Sequence, residues 1–262
     1  MGRLGELYHR VISSVRYHGE KWGVVPARYP KRLLVKQVDP AGIWFEVDNL
    51  TEANRARYLD DERDFLLDVL HELTDTDTFY DIGACIGVFS LHAARRARRV
   101  VAFEPDPSFR AHLQTNIRIN RFDNLNVLPY AVSDQPGDVT LFTEGTAGRS
   151  PSLGDATFAG QIQVEARALD DLVARGELPA PDVIKMDIEG AECLALRGAH
   201  AILKDRSPRA IFLELHPQYL ERFGSSQEEV LGWLADAGYR VRRREQRDVQ
   251  WHYVFERCWV GG

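Results

Sequence analysis

Two short runs concentrate the acidic and glycine residues from which a reactive pocket could be built. The first is Asp81-Ile82-Gly83-Ala84-Cys85-Ile86-Gly87, which follows the apolar Thr78-Phe79-Tyr80 and leads into the helix-like Val88–Ala97. A strand, a glycine turn and a helix in that order open a nucleotide-type pocket in an α/β sheet. The spacing differs from the dinucleotide fingerprint G-x-G-x-x-G, and Asp81 stands just before the first glycine. A carboxylate there repels a pyrophosphate and suits a cation. S-adenosylmethionine (SAM) carries a sulfonium and an ammonium and no phosphate, so the turn favours SAM over NAD. Gly83 and Gly87 permit close backbone approach, with Ala84 and Cys85 between them. Free N–H groups at the start of the following helix suit the carboxylate of the methionine moiety.

The second run is Ile184-Lys185-Met186-Asp187-Ile188-Glu189-Gly190-Ala191-Glu192. Lys185 and Asp187 alternate on a strand and so share a face. Methyl transfer to an alcohol needs in-line alignment and removal of a proton, for which a carboxylate or histidine serves. Asp187 is the first choice as base or acceptor-orienting group and Glu189 the second. Glu214 and His216, ending the next strand, are candidates for the same pocket. Together Asp187, Glu189, Glu214 and His216 could hold a magnesium ion that lowers the pKa of an acceptor hydroxyl. The competing reading makes Lys185, Asp187 and Glu214 a buried ion network that supports the sheet. Glu192 falls in the first turn of a helix, where a carboxylate suits the dipole.

Between these runs, Val100-Val101-Ala102-Phe103-Glu104-Pro105 ends a strand in an acid. Glu104 is placed to accept both ribose hydroxyls, with Pro105 beside it. Ala131 and Val132, ending a third strand, offer backbone and apolar contact to adenine. Asp134 reaches the adenine amino group or is a turn residue.

The elements that must position these residues alternate. Strands are expected over Phe79–Ile82, Val100–Phe103, Leu125–Val132, Val183–Met186 and Ala210–Leu215. Helices are expected over Val88–Ala97, Pro107–Asn120, Ala191–Leu203 and Gln227–Ala237. This is the pattern of an α/β, doubly wound, mostly parallel Rossmann-like sheet. Tyr239–Arg244 and Gln250–Val260 read as a C-terminal antiparallel hairpin. Val139–Phe142 and Ile162–Ala166 read as strands around Glu144–Gly160, which is a lid over the substrate or a disordered loop. Residues 1–75 read as an N-terminal cap packed on a core of residues 76–262. The cap comprises a helix over residues 4–16, a hairpin (Arg32–Val38 and Ile43–Val47) and a helix over about Asn54–Leu73.

Composition narrows the classes. The 262 residues are 44% hydrophobic and 27% charged, as in an ordinary soluble globular chain. A net charge of -6 does not favour nucleic acid, and neither an Asn/Asp-Pro-Pro-Tyr motif nor a Pro-Cys nucleophile is found. Cys85, Cys193 and Cys258 form no metal or disulfide pattern, which points to a reducing cytoplasm. No signal peptide or membrane span is read, though peripheral membrane association fits. Arg95–Arg99 ends a helix. Arg240–Arg244 protects a sheet edge or, less simply, binds a polyanion such as a lipid-linked sugar phosphate. The tryptophans are taken as core, Trp44 being the one that could line an acceptor sugar. His92, His252 and the other histidines outside the strand-end cluster are taken as ordinary surface or core residues.

The Asp81–Gly87 turn, Phe103-Glu104-Pro105, Asn116 and Asn120, Ala131-Val132-Ser133-Asp134, Leu169-Asp170-Asp171-Leu172 and Lys185–Glu192 follow one another in a family order. Over roughly Phe79–His216 the chain resembles the FkbM-type family of class I SAM-dependent methyltransferases. Cys85 departs from the Asn usual there, which touches one side-chain contact to SAM. The resemblance implies O-methylation, commonly of a sugar or natural-product hydroxyl. An NAD-dependent oxidoreductase and a non-catalytic SAM-binding protein are the alternatives; thermal shift with each cofactor separates the first, and the intact Asp187–Glu192 run argues against the second.

Overall fold

The computed structural model describes residues 31–57, 62–148, 150–206 and 208–258. The helix expected over residues 4–16 lies outside them. β1 (Arg32–Val35) and β2 (Ile43–Glu46) form an antiparallel hairpin. Alternation points Leu33, Val35, Ile43 and Phe45 inward and leaves Leu34 and Trp44 exposed. Trp44, expected in the core, is 43% exposed because it lies on the outer face of this hairpin. The helix expected over Asn54–Leu73 is instead two, α1 (Leu50–Arg57) and α2 (Arg63–Glu72).

Among the described residues the main sheet has seven strands in the order β11-β12-β10-β9-β3-β4-β5. They are β3 (Thr78–Ile82), β4 (Arg99–Phe103), β5 (Leu125–Leu128), β9 (Val183–Met186), β10 (Ala210–Leu215), β11 (Tyr239–Arg247) and β12 (Gln250–Arg257). From β10 to β5 all neighbours are parallel, and the β11–β12 hairpin closes the other edge antiparallel. β3, β9 and β10 are buried along their whole length, which explains their near-continuous apolar sequence. One face packs Phe79, Val100, Ala102 and Phe212 beneath α2, α3 (Val88–Ala93) and α4 (Pro107–Asn120). The other packs Tyr80, Val101, Ile184 and Leu213 against α5 (Leu169–Ala174), α6 (Glu192–Arg197) and α8 (Gln227–Asp236). Between β10 and α8 lies the short α7 (Pro217–Leu220). The chain builds outward from β3 through β4 and β5, then returns to β9 on the opposite side. That reversal places a crevice at the carboxyl ends of β3, β4 and β9.

The strand expected over Leu125–Val132 is split. β5 stops at Leu128, and Pro129 has no N–H to continue the ladder. Ala131–Val132 becomes β6 of a separate three-stranded sheet, with β7 (Gly137–Thr143) and β8 (Gly160–Arg167). The helix expected over Ala191–Leu203 also divides, with α6 ending at Arg197 and a π-helical turn over Ile202–Arg206.

The hairpin is fastened to the core by two asparagines one helical turn apart on α4. Asn116 Oδ1 accepts the N–H of Glu46 at 2.7 Å, and its amide donates to the carbonyl of Ile86 at 3.0 Å. Asn120 accepts from the N–H of Trp44 and donates to its carbonyl, pairing the strand edge as another strand would. The arginines of β11 are engaged. Arg240 pairs with Glu256, Arg242 with Glu72, and Arg243 with Asp68 and Glu245. Arg244 lies over the ring of Trp251. The run is thus an ion-paired edge strand, with a bulge between Val241 and Arg243.

Candidate functional site

A pocket open to solvent occupies the crevice. Of the residues singled out in the sequence, Gly83, Cys85, Glu104, Pro105, Ala131, Val132, Asp187 and Glu189 line it. Gly87, at φ 95°, packs against Leu113, and Asp134 is exposed outside the wall.

The donor end is built around Glu104. Its carboxylate is buried at the end of β4 and accepts the N–H of Cys85 at 2.7 Å and that of Asp106 at 2.9 Å. Each oxygen keeps a second lone pair, so two ribose hydroxyls can still be accepted. Burial pushes this carboxyl up to about 7. Tyr130, Ala131, Val132, Leu141 and Leu153 supply apolar surface alongside, as a flat heterocycle requires. These features fit SAM. The N–H groups of Gly83 and Ala84 do not point free into the pocket; both donate to the carbonyl of Phe103 at 3.1 Å.

Asp81 sits below the pocket floor rather than on its edge. It is fully buried and accepts the hydroxyl of Ser90. Its register partner on β9 is Lys185, whose Nζ lies 3.8 Å from Asp81 and 3.5 Å from Asp187. Burial works against the ammonium, but Asp187 and Asp81 outweigh it and hold the Lys185 pKa above its ordinary value. Lys185 also lies over the Phe89 ring. Of the network anticipated as one alternative, the Lys185–Asp187 pair is present with Asp81 in the place expected for Glu214, and Asp187 belongs both to it and to the pocket wall.

Past Asp187 the strand ends converge on His216. Its Nδ1 lies 3.3 Å from Glu192, and its Nε2 lies 3.5 Å from Glu189 and 3.6 Å from Glu214. Burial opposes its charge, yet Glu192, Asp187 and Glu189 raise it to about 10, so the ring is an imidazolium at neutral pH. Burial and then Asp187 push Glu189 up to about 7 and Glu214 up to about 8. One ligand atom from each of Asp187, Glu214 and His216 lies within 4.8 Å of the others.

Two members of this cluster escape the sequence reading. His252, on β12, is the register partner of Glu214 and meets its carboxylate through Nε2 at 3.0 Å. It stacks on Phe65 at 4.3 Å, and burial, with Arg247 next, lowers it to about 4, so it is neutral and donates. Glu62 precedes α2 without capping it. Burial and the carboxylates of Glu214 and Asp187 raise it to about 7. The antiparallel return of the C-terminal hairpin is the signal that could have found His252. For Glu62 the sequence offers none.

The Glu144–Gly160 segment supplies one wall through Ser150, Pro151 and Leu153. Arg55 of α1 donates to the carbonyls of Thr146 and Gly148, and Ser152 donates to the carbonyl of Glu189. The segment is therefore stitched to both the cap and the acidic turn.

Known proteins resemble this chain in sequence and fold. The chain is 28% identical over 184 residues to the hexuronic acid methyltransferase AglP of Haloferax volcanii, covering 70% of this chain and 74% of that protein. It is 29% identical over 142 residues to the 2-O-methyltransferase NoeI of Sinorhizobium fredii, covering 48% of this chain and 57% of that one. The solved structure of yhhF from Escherichia coli shares the fold, with a TM-score of 0.51 at 14% identity over 86% of this chain and 98% of that one. Residues 81–241, more than half of the sequence, match the methyltransferase FkbM domain, and the protein belongs to the FkbM family of SAM-dependent methyltransferases.

Proposed function

We propose that the protein is an O-methyltransferase that modifies a hydroxyl of a glycan or natural-product acceptor. The observation that carries this is the continuity of the pocket. Glu104 marks a donor end, and the same cavity runs to Asp187 and Glu189 at the other. The sugar-directed names of AglP and NoeI support a saccharide acceptor.

SAM supplies an electrophilic methyl group and leaves as S-adenosylhomocysteine. What falls to the protein is alignment and removal of the acceptor proton. Glu104 holds the ribose. Asp187 faces the cavity with Oδ1 unpaired, while Lys185 holds Oδ2. That oxygen meets the acceptor hydroxyl and orients it toward the donor. The C–O bond forms as the S–C bond breaks, and the hydroxyl proton passes to the Asp187–Glu189 pair and then to water. A divalent cation would be held in the acceptor half by Asp187, Glu214 and His216, with Glu189 alongside, and would lower the pKa of the acceptor hydroxyl. All three cysteines are free, in keeping with work in the reducing cytoplasm.

The test is release of S-adenosylhomocysteine from SAM with a panel of neutral glycosides, hexuronates and polyketide alcohols. Turnover with a hydroxyl acceptor, reduced at least about 100-fold by Asp187→Asn, is expected. Full turnover by that variant removes Asp187 from the chemistry, and stabilisation by NADH but not SAM overturns the reading.

A further inference from the structure

We propose that Asp187, Glu214 and His216 bind a divalent cation of the magnesium or manganese type beside the pocket, which it would reach through Asp187, the one of the three that lines the cavity. This deepens the methyltransferase reading and rests on it for the cation's role, though not for its binding.

The three side chains come from the carboxyl ends of two adjacent parallel strands. Asp187 follows β9 directly, Glu214 is in β10, and His216 lies one residue beyond it. Their ligand atoms lie within 4.8 Å of one another, close enough to share one ion. Two carboxylate oxygens and one imidazole nitrogen suit a hard cation that leaves positions open for acceptor oxygens or water; the ion binds by displacing the proton of His216 to solvent, so that Nε2 ligates as neutral imidazole.

Each of the three is also held from behind, as ligating side chains are. Lys185 lies 3.5 Å from Asp187 Oδ2. Glu214 receives His252 Nε2 at 3.0 Å and the amide of Gln250. Glu192 Oε1 receives the N–H of Gly190 and faces His216 Nδ1 at 3.3 Å, which fixes the ring and turns Nε2 toward the other carboxylates.

Independent of that convergence, charge and bonding are incomplete at this spot. Asp187 Oδ1 is buried with no hydrogen-bond partner; behind His216, the fully buried Glu192 faces Nδ1 with Oε1 and leaves Oε2 unpaired. The contacts of His216 Nε2 with Glu189 and Glu214, at 3.5 and 3.6 Å, are longer than charge-assisted hydrogen bonds. Lys185 is engaged by Asp81 and Asp187 and forms no ion pair with Glu214. A cation placed among these ligand atoms supplies the missing partner and presents acceptor hydroxyls to the pocket.

The experiment titrates Mn²⁺ into the full-length protein at neutral pH and follows free Mn²⁺ by electron paramagnetic resonance. One saturable site per chain is expected, displaced by excess Mg²⁺ and weakened at least about tenfold by Glu214→Gln and by His216→Gln. Binding of S-adenosylhomocysteine by calorimetry shows that each variant is folded. If a variant does not fold, pulsed resonance on the wild-type complex decides, since one imidazole nitrogen coupled to Mn²⁺ is expected. No saturable site in the wild type, a site that survives both substitutions, or no nitrogen coupling overturns the proposal. Failure to bind S-adenosylhomocysteine while Mn²⁺ binds strikes the methyltransferase reading instead.

Discussion

Gly83 and Asp187 touch backbone to backbone: a Cβ built on Gly83 would stand 1.9 Å from the carbonyl oxygen of Asp187. The glycine turn after β3 and the acidic turn after β9 are therefore one packed unit, and Gly83 also has φ +84°. Gly83→Ala must shift the Asp187 turn and strain its own backbone. We expect a loss of about 2 kcal/mol or more, a fall in Tm of roughly 4–8 °C. Thermal unfolding reads the first effect. Calorimetry with SAM reads the second, an affinity loss of at least about tenfold.

Glu104 makes donor binding depend on pH. Its carboxyl, pushed up to about 7 by burial, must be ionised to accept two ribose hydroxyls. SAM affinity is expected to fall as pH drops below about 7, and Glu104→Gln to weaken binding at least about tenfold while flattening that dependence. The apo protein should respond in the opposite sense. The native carboxyl holds its proton between the ordinary value of 4.5 and about 7, so its contribution to stability is full at low pH and declines as pH rises through that window. Isothermal titration across pH 5.5–8.5 and denaturant melts of the wild type and the variant check both signs.

Asn116 is fully buried and satisfies two backbone groups, the N–H of Glu46 and the carbonyl of Ile86. Asn116→Ala orphans both. A loss of about 2–4 kcal/mol is expected by urea unfolding, with the m-value unchanged. A loss below about 0.5 kcal/mol would mean the cap is held elsewhere.

His252 acts through Glu214, not on a substrate. His252→Phe keeps the stack on Phe65 but removes the donor at 3.0 Å. We expect kcat to fall about tenfold or more with the KM for SAM little changed, since the donor end is untouched. His252→Gln, which can still donate, should recover part of the rate. An unchanged kcat in His252→Phe removes the residue from the site.

Much of this architecture is legible in the sequence. Strands such as Val183–Met186 and Ala210–Leu215 are apolar apart from Lys185 and Glu214 because both faces are buried, and chemistry-bearing residues stand at or just past their ends. Glu104 and Asp187 are found that way. Register is harder to read. Glu214 and His252 are 38 residues apart and become neighbours only because β12 returns antiparallel beside β10. Asp81 reads as a pocket carboxylate because its place before the glycine turn is visible, whereas its phase on the strand, facing Lys185, is a property of the sheet. Two further signals stand in the sequence itself. Pro129 ends the β5 ladder, and the inward Ile43 and Phe45 on either side of Trp44 put that ring outside.

The Arg55 bridge to Thr146 and Gly148 has a corollary for chimeras. The wall segment binds the cap at one end and the acidic turn at the other, so the two halves of the catalyst are not interchangeable modules. A chimera that exchanges the segment carrying Arg55 alone would lose these two hydrogen bonds and leave the pocket wall unheld on that side. A change in this wall must then be matched on both sides of that seam to keep it closed.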